Sequence, residues 1–511
     1  KIFFFICVKK GQIFNAVNTN DSYNIPTEVV ARRIHENSGD YVVKPFTARF
    51  IKDSANTHLL LEVSDGTVVV DGFRSSRAFP STLRVAKPTS TVTINNEPVN
   101  APIGSHVIVN AGFGGTSAAG TTQGIPNFNQ LEEMNLRSAV THGGSTIGTA
   151  RIRAITKDGS NLKIHLIDIN MNSGQAFRNV KSIGTSTDNF FDLVLENSKG
   201  VIKEPFVNTS LFKLPRVRPS SLTDLTYTAQ RKFSTLSANS SGVIGLTGLT
   251  TPGEIYTQTS DFVFAKADSD VAVTSPTISL SGGGTGGTAD FGTGGAAGSI
   301  ASSSNIELSA FVSKTQTSPK TKTLTDFNLT NTVESDGSGF KFINLKRADI
   351  FQVDQIVNAS DSNENYLNRF ILDDGQRPSH YDTGRLILKA GSSAPSGNVF
   401  VKYKFFEPSA SGDYFSVNSY AGQVDYDKIP NFRLAGGGKI NLRDVIDFRS
   451  VADSAGNFSS TGATLLEVPK DGTTITSDAT YNLAQSAKLV IDRQSKLLLV
   501  QGSSGFFPTT P

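Results

Sequence analysis

The 511-residue chain sets 48 Lys and Arg against 45 Asp and Glu, a formal charge of +3, so its overall electrostatics give no reason to expect nucleic acid or an anionic membrane as a partner. Hydrophobic residues at 37% and charged residues at 18% supply several cores and exclude a disordered chain; no apolar stretch approaches the ~18 residues of a membrane helix. The 34 Phe, 11 Tyr and 46 Gly, set among many Thr, Ser, Val and Asn, describe half-buried strands joined by turns, and the single cysteine, Cys7, leaves no intrachain disulfide and fits folding in a reducing cytoplasm.

The length predicts three or four domains. The chain begins at Lys1 and stops at Pro511 after an apolar, strand-like run, which predicts a piece of a longer protein. Ile2 to Val8 reads as a first strand or the ragged edge of a fragment rather than a signal-peptide remnant, because no small-residue cleavage site follows. Ile25 to Ile34 is a short-helix candidate with Pro26 in its first turn. Strands follow at Asp40–Phe46 and Thr47–Ile51. Leu59–Val63 and Thr67–Val70 flank Asp65-Gly66, a local hairpin signal, and Asp71-Gly72 makes a second turn toward Phe73.

The segment 89–215 opens with strand pairs around Asn95-Asn96 and contains the cleanest hairpin pattern. There Arg151–Thr156 and Asn161–Ile169 both alternate across Lys157-Asp158-Gly159-Ser160. The segment 216–320 is rich in Thr and Ser and holds the low-complexity run Ser281–Ser304, expected to be a flexible loop because glycine weakens a strand interior. Alternation resumes in 321–450, at Gly339–Leu345 and Asn398–Phe406, and again from Val451 to Val500. No heptads or helical apolar stripes occur. The expectation is an all-β chain of consecutive sandwich or barrel-like modules at 1–88, 89–215, 216–320 (with the loop 281–304) and 321–450, with 451–511 starting a further module.

Chemistry-bearing patterns are sparse. None of the six histidines forms a paired metal-ligand spacing, and Cys7 alone builds no thiolate zinc site. Gly282–Gly287 and Gly436-Gly437-Gly438-Lys439 lack the spacing and flanking elements of a phosphate-cradling loop. Asp361–Asn365 and Asp373-Asp374-Gly375 offer oxygen ligands for calcium, but Asp and Asn between strands are ordinarily turn formers. No catalytic residue, cofactor or metal site is assigned.

Two stretches carry a family resemblance. Ala31 to Phe46, with Gly39-Asp40-Tyr41-Val42-Val43-Lys44-Pro45-Phe46 at its end, and the turn Val70-Asp71-Gly72-Phe73 resemble the N-terminal module of large structural proteins of contractile-tailed phages, especially those of marine cyanobacteria. Asp373-Asp374-Gly375-Gln376-Arg377-Pro378-Ser379-His380-Tyr381-Asp382 and Arg443-Asp444-Val445-Ile446-Asp447-Phe448-Arg449 resemble β-rich modules of the same proteins. The resemblance covers roughly half of the chain and neither motif is catalytic. Read as residues alone, Arg377, Tyr381, Asp382 and Arg385 are candidates for locking a long loop through charge-assisted bonds, and Asp444, Asp447 and Arg449 for doing so at the next corner; the alternative is that these groups face a neighbouring subunit.

The resemblance implies a virion structural protein, made in the host cytoplasm and placed in the baseplate or at its tail-fibre connection. Its partners would be other tail and baseplate proteins, with several copies per particle, no nucleic acid and no membrane insertion. The alternative is a carbohydrate-binding fibre protein or surface adhesin that meets host-surface glycan. An enzyme ranks third, since the repeats of a solenoid depolymerase are absent.

Overall fold

The computed structural model describes residues 25–52, 58–101, 106–109, 131–139, 144–158, 161–184, 190–194, 210–266, 276–292, 300, 302, 305–336, 339–434, 437–458, 469–492 and 495–511. The chain is all-β: 58% lies in strands and 9% is helical, with one α-helix among the described residues. It divides into two compact units, one built from residues 1–93 and 480–511 and the other from 94–479.

In the first unit the helix spans Ile25–Ser38, four residues beyond the expected end. It stops at Gly39, whose positive φ of 61° lets its N–H reach back to the His35 carbonyl at 2.8 Å. Two three-stranded sheets follow. One orders Ala48–Lys52, His58–Val63 and Ser81–Ala86; the other orders Tyr41–Lys44, Gly66–Val70 and Phe73–Arg77. The two Asp-Gly signals therefore part company. Asp71 and Gly72 have φ of 51° and 80° and close a two-residue hairpin, with Val70 opposite Phe73.

The expected hairpin at Asp65-Gly66 does not form, because the strands it joins belong to different sheets. The reason is packing. A side chain on Gly66 would meet the Phe46 ring at 2.7 Å, and Ser64 Oγ accepts from the Thr47 N–H at 2.9 Å, so the chain turns a corner over Phe46. The hairpin Ala484–Ile491 and Leu497–Gly505 returns to this unit, placing Leu489 against Leu61, Val63 and Val85, and Ile491 against Val68 and Val70. The hairpin thus belongs to the unit of the N-terminal strands and contributes to its core. Each such buried aliphatic side chain contributes about 1.5–3 kcal/mol.

The described residues of the second unit form three large cores. The first lies on a six-stranded sheet in the order Phe190–Asp192, Ser182–Gly184, Glu133–Arg137, Thr146–Asp158, Asn161–Met171, His106–Val109. Thr146–Asp158 and Asn161–Met171 form the expected hairpin with longer arms, in register down to Asp158 opposite Asn161; residues 159–160 lie outside the described residues. The second core centres on the long strand Pro219–Leu236 and its partner Ile306–Lys314.

The Gly-rich run is not the flexible loop its composition predicts, since part of it is a strand. Gly286–Asp290 is the middle strand of a three-stranded sheet between Val243–Gly245 and Thr277–Ser281, with Ala289 fully buried and Phe291 nearly so. Glycine is required because a side chain on Gly287 (φ 152°) would strike the Ser279 carbonyl at 2.3 Å. Residues 293–299, 301, 303 and 304 of that run lie outside the described residues.

The third core is closed between two sheets. One orders Lys322–Asn331, Val399–Pro408 and Ile350–Asn358; the other orders Glu334–Ser335, Lys341–Ala348, Thr383–Leu388 and Phe370–Asp373. Ile343, Leu345, Leu386, Val401 and Tyr403 fill it.

Candidate functional site

The loop between the strands Phe370–Asp373 and Thr383–Leu388 is closed by its own charges. Arg377 grips Asp373 with both arms of its fork, Nη1 to Oδ1 at 2.8 Å and Nη2 to Oδ2 at 2.7 Å, and lies 3.5 Å from Asp382. Arg385 approaches the same Asp382 oxygen at 3.6 Å. The backbone follows suit: Asp382 N–H donates to Gly375 O at 2.7 Å and Arg377 N–H to His380 O at 2.9 Å. Burial pushes the Asp373 carboxyl upward, but Arg377 outweighs it and holds the group below its ordinary value. Gly375 is obligatory, since a side chain there would meet Asp382 O at 2.1 Å.

Tyr381 leaves this loop and enters a buried polar network. Its hydroxyl donates to Asp447 Oδ2 at 2.5 Å and accepts from Arg449 Nη2 at 2.6 Å and Lys322 Nζ at 2.9 Å. Lys322 spends its other two protons on Asp349 Oδ2 at 2.6 Å and the Tyr420 hydroxyl at 3.0 Å. Arg449 uses all five of its N–H donors: Nε to Asp447 Oδ1 at 3.0 Å, Nη1 to Gln376 Oε1 at 3.3 Å and Arg377 O at 3.1 Å, Nη2 to Asp447 Oδ2 at 2.8 Å and to Tyr381. Two cations thus face two carboxylates, and the Lys322, Asp349, Asp447 and Arg449 side chains are at most 3% exposed.

Burial dominates the titration of this cluster. It drives the Tyr381 and Tyr420 phenols well above their ordinary range and pulls Lys322 down against the attraction of Asp349 and Asp447. Burial would also raise Asp447, but Arg449 beside it holds the carboxyl low. Lys, Asp and Tyr in contact are a familiar acid–base set. Here every proton of Lys322 and Arg449 is committed inside the fold, so the set fastens chain segments together.

No protein-family model matches this sequence, and no curated protein is significantly similar to it.

Of the seven residues singled out in the sequence, Tyr381, Asp447 and Arg449 meet in the network, while Arg377, Asp382 and Arg385 meet in the loop beside it. Asp444 stands apart: its carboxylate accepts from the Arg218 N–H at 2.7 Å and from Asn441 Nδ2 at 3.0 Å, pinning the turn before the strand Pro219–Leu236. Sequence reasoning did not single out Lys322, Asp349 and Tyr420: Lys322 and Asp349 carry no motif, and Tyr420 lies in the tail-protein-like stretch without a charge partner close in sequence. Lys322 comes in on the strand Lys322–Asn331, paired with Val399–Pro408, Asp349 on the turn before the strand Ile350–Asn358, and Tyr420 on the short 3-10 turn Val417–Tyr420.

The candidate calcium segments act as turns. Asp361 Oδ1 accepts from the Asn363 N–H at 3.0 Å, and Asp373 Oδ1 and Asp374 Oδ1 accept from the Gly375 and Gln376 N–H groups at 3.1 and 3.0 Å. In the first unit, His35, Asp40 and Asp71 gather one ligand atom each within 4.8 Å. Asp40 is already engaged there: Oδ1 lies 3.1 Å from His35 Nδ1 and accepts from the Asp71 N–H at 2.7 Å, tying the helix end to the hairpin.

Proposed function

We propose that this chain is a structural component of a contractile phage tail, in or next to the baseplate, that works through protein–protein interfaces. The observation that carries the reading is the closed network around Lys322, Tyr381, Asp447 and Arg449. The most chemistry-like group of side chains is sealed from solvent and saturated with internal hydrogen bonds, which suits rigidity under load rather than turnover. The motifs that resemble tail proteins contribute Tyr381, Asp447 and Arg449 to that lock. The first unit adds a second support. Its edge strand Tyr41–Lys44 exposes Tyr41, Val42 and Val43 by 43%, 53% and 56%, and Phe79, elsewhere in the same unit, is 80% exposed. Apolar edge strands are normally covered, and a neighbouring subunit would do so.

The test has two arms. The purified chain is screened for turnover of host lipopolysaccharide, peptidoglycan and nucleotides, and particles lacking it are imaged. No turnover and defective tails are expected. Activity abolished by one acidic or histidine substitution, or intact infectious tails without the protein, would overturn the proposal.

A further inference from the structure

Among the described residues of the second unit two arginines are wholly buried, and their surroundings are opposite. Arg449 uses every donor, as described above. Arg153 is 2% exposed, yet Nε, Nη1 and Nη2 make no hydrogen bond to any described group. An unpaired guanidinium in that position is costly for a fold to retain. Burial lowers its pKa only to about 9, so it is charged at neutral pH.

The chain delivers Arg153 to its place by a local irregularity. In the hairpin Ile152 faces Leu166 and Ala154 faces His165, so Arg153 is the extra residue of a β-bulge, a device that re-aims a side chain. It lines a cavity of about 250 Å³. The buried part of the wall includes Thr156, His165 and Gln230, and the half-buried part carries Lys157, Lys163 and Lys470.

The wall is held rigid. Gln230 Nε2 donates to Ile155 O at 2.6 Å and its Oε1 accepts from the Ile155 N–H at 2.9 Å; His165 Nε2 and Thr156 Oγ1 lie 3.3 Å apart. Two carboxylates also line the cavity. Asp261 is held by Lys470 at 2.8 Å, and Asp471 acts on Arg153 only through space. Among the described lining residues four cations face two anions, and Arg153 has no hydrogen-bond partner among them, which makes a positive recess large enough for a small oxyanion together with water.

We propose that this cavity is an oxyanion-binding site, in which the planar fork of Arg153 receives a phosphate, sulfate or carboxylate group and Lys163 adds charge. The site goes beyond the structural role above and does not depend on it.

The experiment measures melting temperature and calorimetric binding for the 511-residue chain at constant ionic strength, with inorganic phosphate, sulfate, acetate and glucuronate as probes and glucose as the neutral control. Saturable millimolar binding of at least one oxyanion and none of glucose is expected. Preference for phosphate or sulfate points to a free anion; preference for glucuronate over acetate points to an acidic sugar. Arg153→Met is expected to weaken binding at least about tenfold and, without the anion, to melt no lower than the parent, because it removes an unpaired charge. Lys163→Gln should weaken binding several-fold without changing the fold. If Arg153→Met does not fold, a shift of the Arg153 Nε–H resonance on phosphate titration of the unsubstituted chain replaces it. No binding of any oxyanion by the unsubstituted chain, undiminished binding in Arg153→Met, or an unmoved Arg153 resonance sinks the proposal.

Discussion

Arg449 places its guanidinium carbon 3.9 Å from the centre of the Tyr381 ring and donates to that residue's hydroxyl at 2.6 Å. One residue therefore meets both the π-face and the oxygen of the other, while Asp447, two positions before Arg449, accepts from each of them. Because the contacts come from distant parts of the chain, their loss should be felt across the whole second unit.

Substituting within this network should be far costlier than at its rim. Asp447→Asn leaves Arg449 and Lys322 with one carboxylate between them, and a loss of about 3–5 kcal/mol is expected. Arg385→Gln removes only a half-exposed ion pair at 3.6 Å and should cost no more than about 1 kcal/mol. Thermal and urea unfolding of the two variants decide it; equal losses would show that burial of the network contributes little.

Acid should destabilise the second unit before carboxylates titrate. His165 is buried, and desolvation, with His106 next, lowers its pKa from 6.5 to about 4. The unfolded chain binds the proton first, so this contribution to stability is complete above about 6.5 and is lost as pH falls to about 4, by roughly 3 kcal/mol. His165→Gln should flatten the pH dependence of unfolding in that window. An unchanged slope would assign the acid loss to other groups.

The two glycines that bracket the Gly39–Gly72 region of the first unit should respond differently to alanine. Both have positive φ, but a side chain on Gly39 meets nothing within 4 Å, while one on Gly72 would lie 1.8 Å from the Ala31 carbonyl. Gly39→Ala should cost about 1–2 kcal/mol of backbone strain. Gly72→Ala should cost about 3 kcal/mol or more, because the helix must also move. Similar melting temperatures for the two variants would contradict the close approach of helix and hairpin.

Removing residues 282–290 should lower the melting temperature by many degrees, because the deletion takes out a central strand and uncovers Ile244, Ile278 and Phe291. Amide exchange gives an independent reading: Thr288 lies opposite Gly245 and Ser279 and should be protected. A deletion without thermal consequence would restore the flexible-loop expectation for this segment.

The sequence by itself determined the class of fold, because period-two alternation and Asp-Gly turns are local signals that survive without neighbours. It located the hairpin of Arg151 and Asn161 and the turn at Asp71-Gly72, and it named Tyr381, Asp447 and Arg449 as candidates either for locking a loop or for facing a neighbouring subunit. Only the tertiary structure decided which Asp-Gly joins one sheet and which turns a corner, since that depends on Phe46 beneath Gly66. It alone showed that a glycine run can be a strand where a carbonyl passes at 2.3 Å from the missing side chain of Gly287. It alone distinguished Arg449 from Arg153. Both are arginines in β-rich sequence, but hydrogen-bond saturation is a property of what surrounds a group in space. The partners of Arg449 come from residues 376 to 447, whereas the bulge that turns Arg153 into a cavity depends on the register of the opposing strand.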